Sequence, residues 1–195
     1  MTRTTAEIER LFRVDAQSGS NVGEEVYPGY PGLVLDGTAL RTMTWGFPLA
    51  LKGKAGQPLK PKPVNNARTD KLDGGFWKAS FQHRRCLVPM TAFAEAEGPK
   101  GSKTRTWLSL PDEPIFTAAG IWRDSAEWGA VYSMVMTDAC LAMQAIHDRS
   151  PVIISPRDRD VWQAGGADEA MTLCKPYAEE MVIDRTSQPW VAANR

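Results

Sequence analysis

Residues 86–137 read CLVPMTAFAEAEGPKGSKTRTWLSLPDEPIFTAAGIWRDSAEWGAVYSMVMT, and they decide the fold class. Five short β-like runs follow one another: Cys86–Pro89, Ala92–Ala96, Arg105–Leu110, Ile115–Trp122 and Ala130–Thr137. Glycine, proline and charged residues separate them, and no helical period intervenes, so hairpins are expected rather than βαβ crossovers. Upstream, Leu33–Leu35 and Ala39–Trp45 read as two strands around an Asp36-Gly37 turn. Lys52–Asn65 holds four lysines, three prolines and two glycines and reads as an exposed loop. Downstream, Pro151–Ser155 and Glu180–Asp184 add strands. Helices are few. Thr4-x-x-Glu7 is a capping-box pattern, with Ile8, Leu11 and Phe12 on one face, which predicts a helix from Thr5 to Arg13. That helix should end before the Gly/Ser-rich loop Gln17–Glu25. Asp138 is positioned to cap a helix from Ala139 to Ile146, Ser155-Pro156 to open one through Trp162, and Ala167–Cys174 gives a third. The pattern predicts an α+β fold with a mainly antiparallel, barrel-like sheet and a few peripheral helices.

The 195 residues suit a single domain over 1–195, large enough to bury a core without disulfides or metals. No apolar run reaches the ~20 residues of a membrane helix, and Met1 to Arg13 lacks the apolar core of a secretory signal. Cys86, Cys140 and Cys174 are odd in number and far apart, which points to a reducing, cytoplasmic setting. His83 and His147 are too few for a multi-histidine metal site, and no cofactor motif is present. Twenty-three basic and 23 acidic residues cancel, which excludes a uniformly basic binder. The distribution is uneven, however. Lys52 to Arg85 holds nine basic residues against Asp70 and Asp73. Phe76 and Trp77 lie within this stretch, and Trp45 and Phe47 precede it. Such a mixture suits single-stranded nucleic acid, with phosphates neutralised and bases stacked, or equally a solvated loop.

Few residues could carry chemistry. His147, in Ala145–Pro151 at a helix–strand junction, could shuttle protons or simply cap the junction. Glu95, in the alternating Phe93-Ala94-Glu95-Ala96, could be a general acid or part of a solvent face. Asn65-Asn66-Ala67-Arg68 could orient a carbonyl or form a turn. Cys86 follows Arg84-Arg85 but also begins an apolar run.

In chain order these pieces are Trp45-Gly46, Asn66-Ala67-Arg68, Arg85-Cys86-Leu87-Val88-Pro89 with Phe93-Ala94-Glu95, Phe116–Trp122, and Ile146-His147-Asp148-Arg149-Ser150-Pro151-Val152-Ile153. The succession resembles the SOS response-associated peptidase (SRAP) family, which includes proteins that cross-link to abasic sites in single-stranded DNA. The resemblance implies that Asn66, Glu95 and His147 are catalytic. It also implies that Arg68, Thr137 and Arg149 hold the DNA backbone, with Trp45 as an aromatic DNA contact; Phe76 or Trp77 could add stacking to DNA or equally be core anchors. It implies a monomer that needs no cofactor and acts in DNA repair, with single-stranded DNA bearing abasic sites as its partner.

In that family the nucleophile is a cysteine directly after the initiator methionine. Its α-amine condenses with the abasic aldehyde, and its thiol closes a thiazolidine. The same thiol is credited with autoproteolysis of the leader. Here residue 2 is Thr2, so a native start a few residues upstream, at a Met-Cys, is expected. The rival expectations are a DNA-binding pseudoenzyme, or Thr2 itself supplying amine and hydroxyl. Phe47–Lys54 lacks a tryptophan that other members carry, and Asp70 stands where a glutamate is commoner. A cysteine peptidase using Cys86 or Cys140 with His147 would need a thiol within hydrogen-bond reach of that ring. A non-catalytic single-strand-binding module would need only the basic loop and aromatics on one face.

Overall fold

The structure, a computed structural model, describes residues 5–12, 23, 25–37 and 39–190. Helix α1 spans Thr5–Phe12; the Thr4 cap, Thr2 and Arg13 lie outside the described residues. Strands β1 (Pro31–Leu35) and β2 (Leu40–Trp45) form the expected hairpin. Its turn is closed by Asp36, whose backbone N–H donates to the Ala39 carbonyl while its carboxylate accepts the Ala39 N–H at 3.3 Å.

The segment read as a loop is a second hairpin, β3 (Phe47–Lys52) and β4 (Pro58–Val64). Its prolines obscured it, because proline cannot donate to a ladder and argues against a central strand. Among the described residues this hairpin pairs with no third strand, so outward-facing positions tolerate a missing donor. Asn66–Arg68 is likewise a strand, β5, rather than a turn. Helix α2 (Lys78–His83) was not anticipated from the sequence.

The decisive stretch forms β6 (Arg85–Met90), β7 (Phe93–Glu97), β8 (Thr104–Ser109), β9 (Phe116–Ser125) and β10 (Gly129–Asp138). Then come β11 (Arg149–Pro151), β12 (Ile153–Ile154), helices α3 (Arg159–Ala164) and α4 (Ala167–Thr172), and β13 (Val182–Pro189). Strands β2, β1, β6, β9 and β10 are neighbours in that order. The parallel pairing of β10 with β2, Val131 opposite Thr44 and Tyr132 opposite Trp45, closes them into a five-stranded barrel. β7, β8 and β13 form a separate antiparallel sheet beside it.

Period-2 alternation sorts the barrel residues into two sets. Leu35, Leu87, Ile121 and Val135 pack outward against Ile8, Phe81 and Trp162 of the helices. Val34, Met43, Cys86, Ala118, Tyr132 and Met134 form a second cluster on the other face, which fills the barrel. Gly120 belongs to that face, since a Cβ there would meet the Cys86 sulfur at 2.8 Å.

The segment 139–146 is a run of turns, not the expected helix. Met143 and Gln144 donate to the Cys140 carbonyl, and Ile146 and His147 to the Met143 carbonyl, with no continuous ladder. Asp138 does not cap it. The Ser150 hydroxyl accepts the Cys140 N–H at 3.2 Å and donates to the Asp138 carbonyl, tying the turns to β11 instead.

Arg85 locks the helices to the barrel. It is 6% exposed, and its guanidinium donates to the carbonyls of Phe81 and Gln82 at the end of α2, and of Trp162 and Gly165 at the end of α3. These are terminal helix carbonyls that lack intrahelical partners. Trp162 returns the contact through its indole N–H, which donates to the Cys86 carbonyl at 2.8 Å. Arg85→Leu should therefore destabilise the protein by about 3 kcal/mol or more, since each buried acceptor left unpaired costs about 1–3 kcal/mol. Arg85→Lys should recover only part, because one ammonium cannot reproduce the guanidinium fork. Urea unfolding monitored by tryptophan fluorescence measures both; equal midpoints for Arg85→Leu and wild type would refute this role.

Candidate functional site

The C-terminal half of β10 is the seat of the site. β5 runs parallel along one edge, with Met134 opposite Asn66 and Met136 opposite Arg68. β11 runs antiparallel along the other, with Thr137 opposite Ser150 and Asp138 opposite Arg149. Three sequence-distant segments thus bring Asn66, Arg68, Thr137 and Arg149 onto neighbouring strands. Thr137 is 4% exposed, while Asn66 and Arg68 face solvent.

Both arginines carry an aspartate partner that sequence reasoning missed. Arg68 donates to Asp70 from Nε at 2.9 Å and Nη2 at 2.8 Å, a bidentate pair. Arg149 Nη1 donates to Asp138 at 3.1 Å. The Arg68 hydrogen bonds hold the Asp70 carboxyl below its usual range, and the charges of Arg68, Lys71 and Arg149 act in the same direction. Asp70 therefore lies between the two arginines electrostatically. Its nearness to Arg68 in sequence was the available signal; the Asp138–Arg149 pair needed the strand register.

The second part of the site comes from the β7–β8–β13 sheet. Phe93 of β7, Leu108 of β8, Phe116 of β9, and Cys140 and Met143 of the turns share one apolar cluster, with Ile146 packed against it. Glu95 follows Phe93 by two residues on the same face of β7, and His147 follows Ile146. Burying Phe93 and Ile146 together brings Glu95 and His147 within electrostatic reach of each other. Burial pushes the Glu95 carboxyl up, and His147, the Ala96 N–H and Lys103 oppose that shift only in part.

His147 is exposed, and its Nδ1 accepts the Arg149 backbone N–H at 3.0 Å. A neutral ring that accepts at Nδ1 carries its proton on Nε2. Once the ring is charged, its Nδ1 proton has Asp148 Oδ1 at 3.2 Å and the Arg149 carbonyl at 3.3 Å as acceptors.

The aromatic candidates divide. Trp45 is half-buried, with its ring stacked on Tyr132 and its indole N–H donating to the Asn65 carbonyl at 3.0 Å. Trp77 belongs to the core: it is 7% exposed, 5.0 Å from the Phe47 ring and 4.6 Å from Phe76. It offers no open face to a base, which corrects the expectation for it. The requirement for a peptidase thiol beside His147 is unmet among the described residues. Cys86 is buried in the barrel and its thiol is pushed up by burial. Cys140 is also buried and contacts the Met181 sulfur at 3.7 Å. Among the described residues no cluster of histidine, cysteine or carboxylate could hold a metal ion, and no helix is long and apolar enough to cross a membrane.

A family model described as SOS response associated peptidase (SRAP) matches residues 1–189. Solved structures share the fold. A Bordetella bronchiseptica protein has a TM-score of 0.79 at 18% identity, over 95% of this chain and 96% of its own. A Bacteroides thetaiotaomicron protein has a TM-score of 0.76 at 19% identity, over 95% and 89%. A phage-related protein from Bordetella bronchiseptica has 0.61 at 21% identity, over 84% and 81%. No curated protein matches the chain.

The upward displacement of Glu95 has a sign that can be measured. The folded state holds a proton that the unfolded chain releases, so wild-type stability falls as pH rises from the unfolded carboxyl value through the folded one. Glu95→Gln lacks this loss. Its stability relative to wild type should therefore increase as pH rises from about 4, the unfolded carboxyl value, through the folded value, and then level off. Urea unfolding at several pH values tests this, and a pH-independent difference would contradict it.

Proposed function

Because the chain belongs to the SOS response associated peptidase (SRAP) family, we propose that it recognises abasic sites in single-stranded DNA. In a form whose second residue is cysteine, we propose that it bonds to them covalently. Membership supports a DNA-damage-associated, abasic-site-binding and peptidase-like role in general terms. The observation that carries the finer reading is the approach of a half-buried Glu95, its carboxyl pushed up by burial, to His147, two residues from Arg149.

The chemistry asks for proton transfers at one carbon. The terminal α-amine adds to the C1′ aldehyde of the opened abasic sugar. The resulting carbinolamine loses water to give an imine, and that hydroxyl needs a proton as it leaves. Glu95, with its carboxyl pushed up by burial, is suited to supply it. The cysteine thiol then gives up its proton, its sulfur bonds to the imine carbon, and the nitrogen is protonated, closing the thiazolidine. His147 suits that transfer in the tautomer whose Nδ1–H is donated to Asp148 Oδ1 or the Arg149 carbonyl, because its Nε2 lone pair is then open to take the thiol proton and return it to the nitrogen. Asn66 is the group proposed to orient the terminus. Arg68, Arg149 and Thr137 are proposed to hold the phosphates, and the outer face of Trp45 to meet a base. A terminal threonine in place of cysteine would offer an amine and a hydroxyl, which give only a reversible imine or a weaker oxazolidine ring.

The test is a denaturing-gel shift on single-stranded DNA with one abasic site. The chain as given is compared with a form beginning Met-Cys ahead of the same helix. A heat-stable band is expected only from the Met-Cys form. Glu95→Gln and His147→Ala in that form should slow its appearance by about 100-fold or more, the usual scale of general acid–base catalysis. No band from either form, together with equal binding of abasic and intact strands, would overturn the reading. A preference for abasic strands without a band would leave recognition and remove the covalent step.

A further inference from the structure

The β3–β4 hairpin is the least accounted-for part of the molecule. Between Asp36 and Asp70 the chain contains no acidic residue, and Lys52, Lys54, Lys60 and Lys62 all lie on this hairpin. All four are exposed, and among the described residues none of them makes an ion pair. The contrast with Arg68 and Arg149, each held by an aspartate, is plain. Among the described residues the two strands pair only with each other. An isolated two-stranded ribbon is marginal in water, so its root must be held.

That root is well built. Gly46 has φ +123°, a conformation other residues resist, and a Cβ there would lie 2.5 Å from Pro63. Phe47 is fully buried, and the Arg123 guanidinium packs over both its ring and that of Phe76, at 4.3 and 4.8 Å. The far end carries lysines, small or apolar residues and Gln57, with Leu49 and Leu59 exposed. At its base, Val64 leads through Asn65 directly into Asn66 and Arg68 of the candidate site. Six residues of β3 span about 20 Å, so the arm extends well beyond the site.

We propose that this hairpin is an electrostatic arm that lies along the phosphate backbone of the DNA strand leaving the site. Lys52, Lys54, Lys60 and Lys62 would neutralise successive phosphates without regard to sequence. The proposal rests on the DNA-binding reading above and assigns the flanking strand, rather than the lesion, to the arm. Unpaired lysines release counterions on binding at no cost in broken ion pairs, whereas Arg68 and Arg149 must first share their aspartates. Affinity for flanking DNA should therefore come from the arm, and the site should contribute placement.

The experiment measures binding to a 20-nucleotide strand and to a five-nucleotide strand, each with one central abasic site, across a salt series. Wild type is compared with a variant carrying Lys→Gln at all four positions and with one carrying Lys→Arg at all four. Thermal unfolding confirms that the three proteins fold alike. On the 20-mer, Lys→Gln should weaken binding ten- to 100-fold near 0.1 M salt and reduce the salt slope by about 0.7 for each lost contact. The five-mer should be unaffected, and Lys→Arg should behave as wild type. Unchanged affinity and slope on the 20-mer would overturn the arm, and so would equal weakening on both lengths, which would locate the lysines at the lesion site. Intact 20-mers are run alongside. A failure to discriminate abasic from intact strands would count against the abasic-site reading, while the length and salt dependence still decides the arm.

Discussion

One strand bears the architecture. Gly129–Asp138 pairs with β9 and then β11 along one edge, and with β2 and then β5 along the other. Seven of its ten residues, Val131 to Thr137, are buried. Its first half closes the barrel through the parallel register with β2, a contact that no hairpin provides and that chain entropy opposes until the other strands are in place. Its second half runs past the barrel, where β5 and β11 take over as neighbours. A one-residue slip would exchange Tyr132 and Met134 for Val131 and Val135, moving every side chain to the wrong face. The same register sets which residues of β5 and β11 face each other across it, so barrel closure and site geometry are a single constraint.

The other half of the site depends on apolar packing rather than on hydrogen bonding. Glu95 has a raised carboxyl because the sheet that carries it docks on the barrel through Phe93, Leu108 and Phe116, which removes water from one side of β7. His147 remains exposed because it follows the last turn of the segment that completes this cluster. A carboxyl pushed up by burial next to an open imidazole therefore arises from burying one neighbour of each. On the far side of the barrel, Arg85 plays the corresponding part for the helices, satisfying with one guanidinium carbonyls that two short helices leave unpaired.

The barrel strands were legible because most are short apolar runs set off by turn-forming or charged residues, though burial on both faces leaves no polar alternation to show which side points inward. The hairpin at 47–64 was not, because Pro58, Pro61 and Pro63 are penalised in central strands and this ribbon is not central. The turns at 139–146 carry Ala139, Leu141, Ala142, Met143 and Ile146 at spacings that suit a helix. Local pattern could not show that Ser150, ten residues on, would take the Cys140 N–H. Asn66, Glu95 and His147 stood out only through the order of short motifs, since each alone reads equally well as a turn, a solvent face or a cap. The Arg149–Asp138 pair was invisible because it is a property of strand register. Trp77 misled for a different reason: an aromatic in a basic segment looks the same in sequence whether it stacks on a base or on Phe47.

These charge arrangements divide the work of a binder in a physically sensible way. A guanidinium already hydrogen-bonded to a carboxylate is oriented, at the expense of attraction for a phosphate. A free lysine is attractive but unoriented, with a flexible stem and a compact charge. Arg68 and Arg149, ordered by Asp70 and Asp138, suit a position where geometry matters to within a hydrogen bond. The hairpin lysines suit a strand whose sequence and exact path do not matter. The overall neutrality of the chain follows from the same division, since 23 acidic residues balance the 23 basic ones while leaving the 33 residues between Asp36 and Asp70 without a carboxylate. Charge is thus compensated where precision is needed and left bare where only attraction is, and nucleic acid is the partner that rewards both.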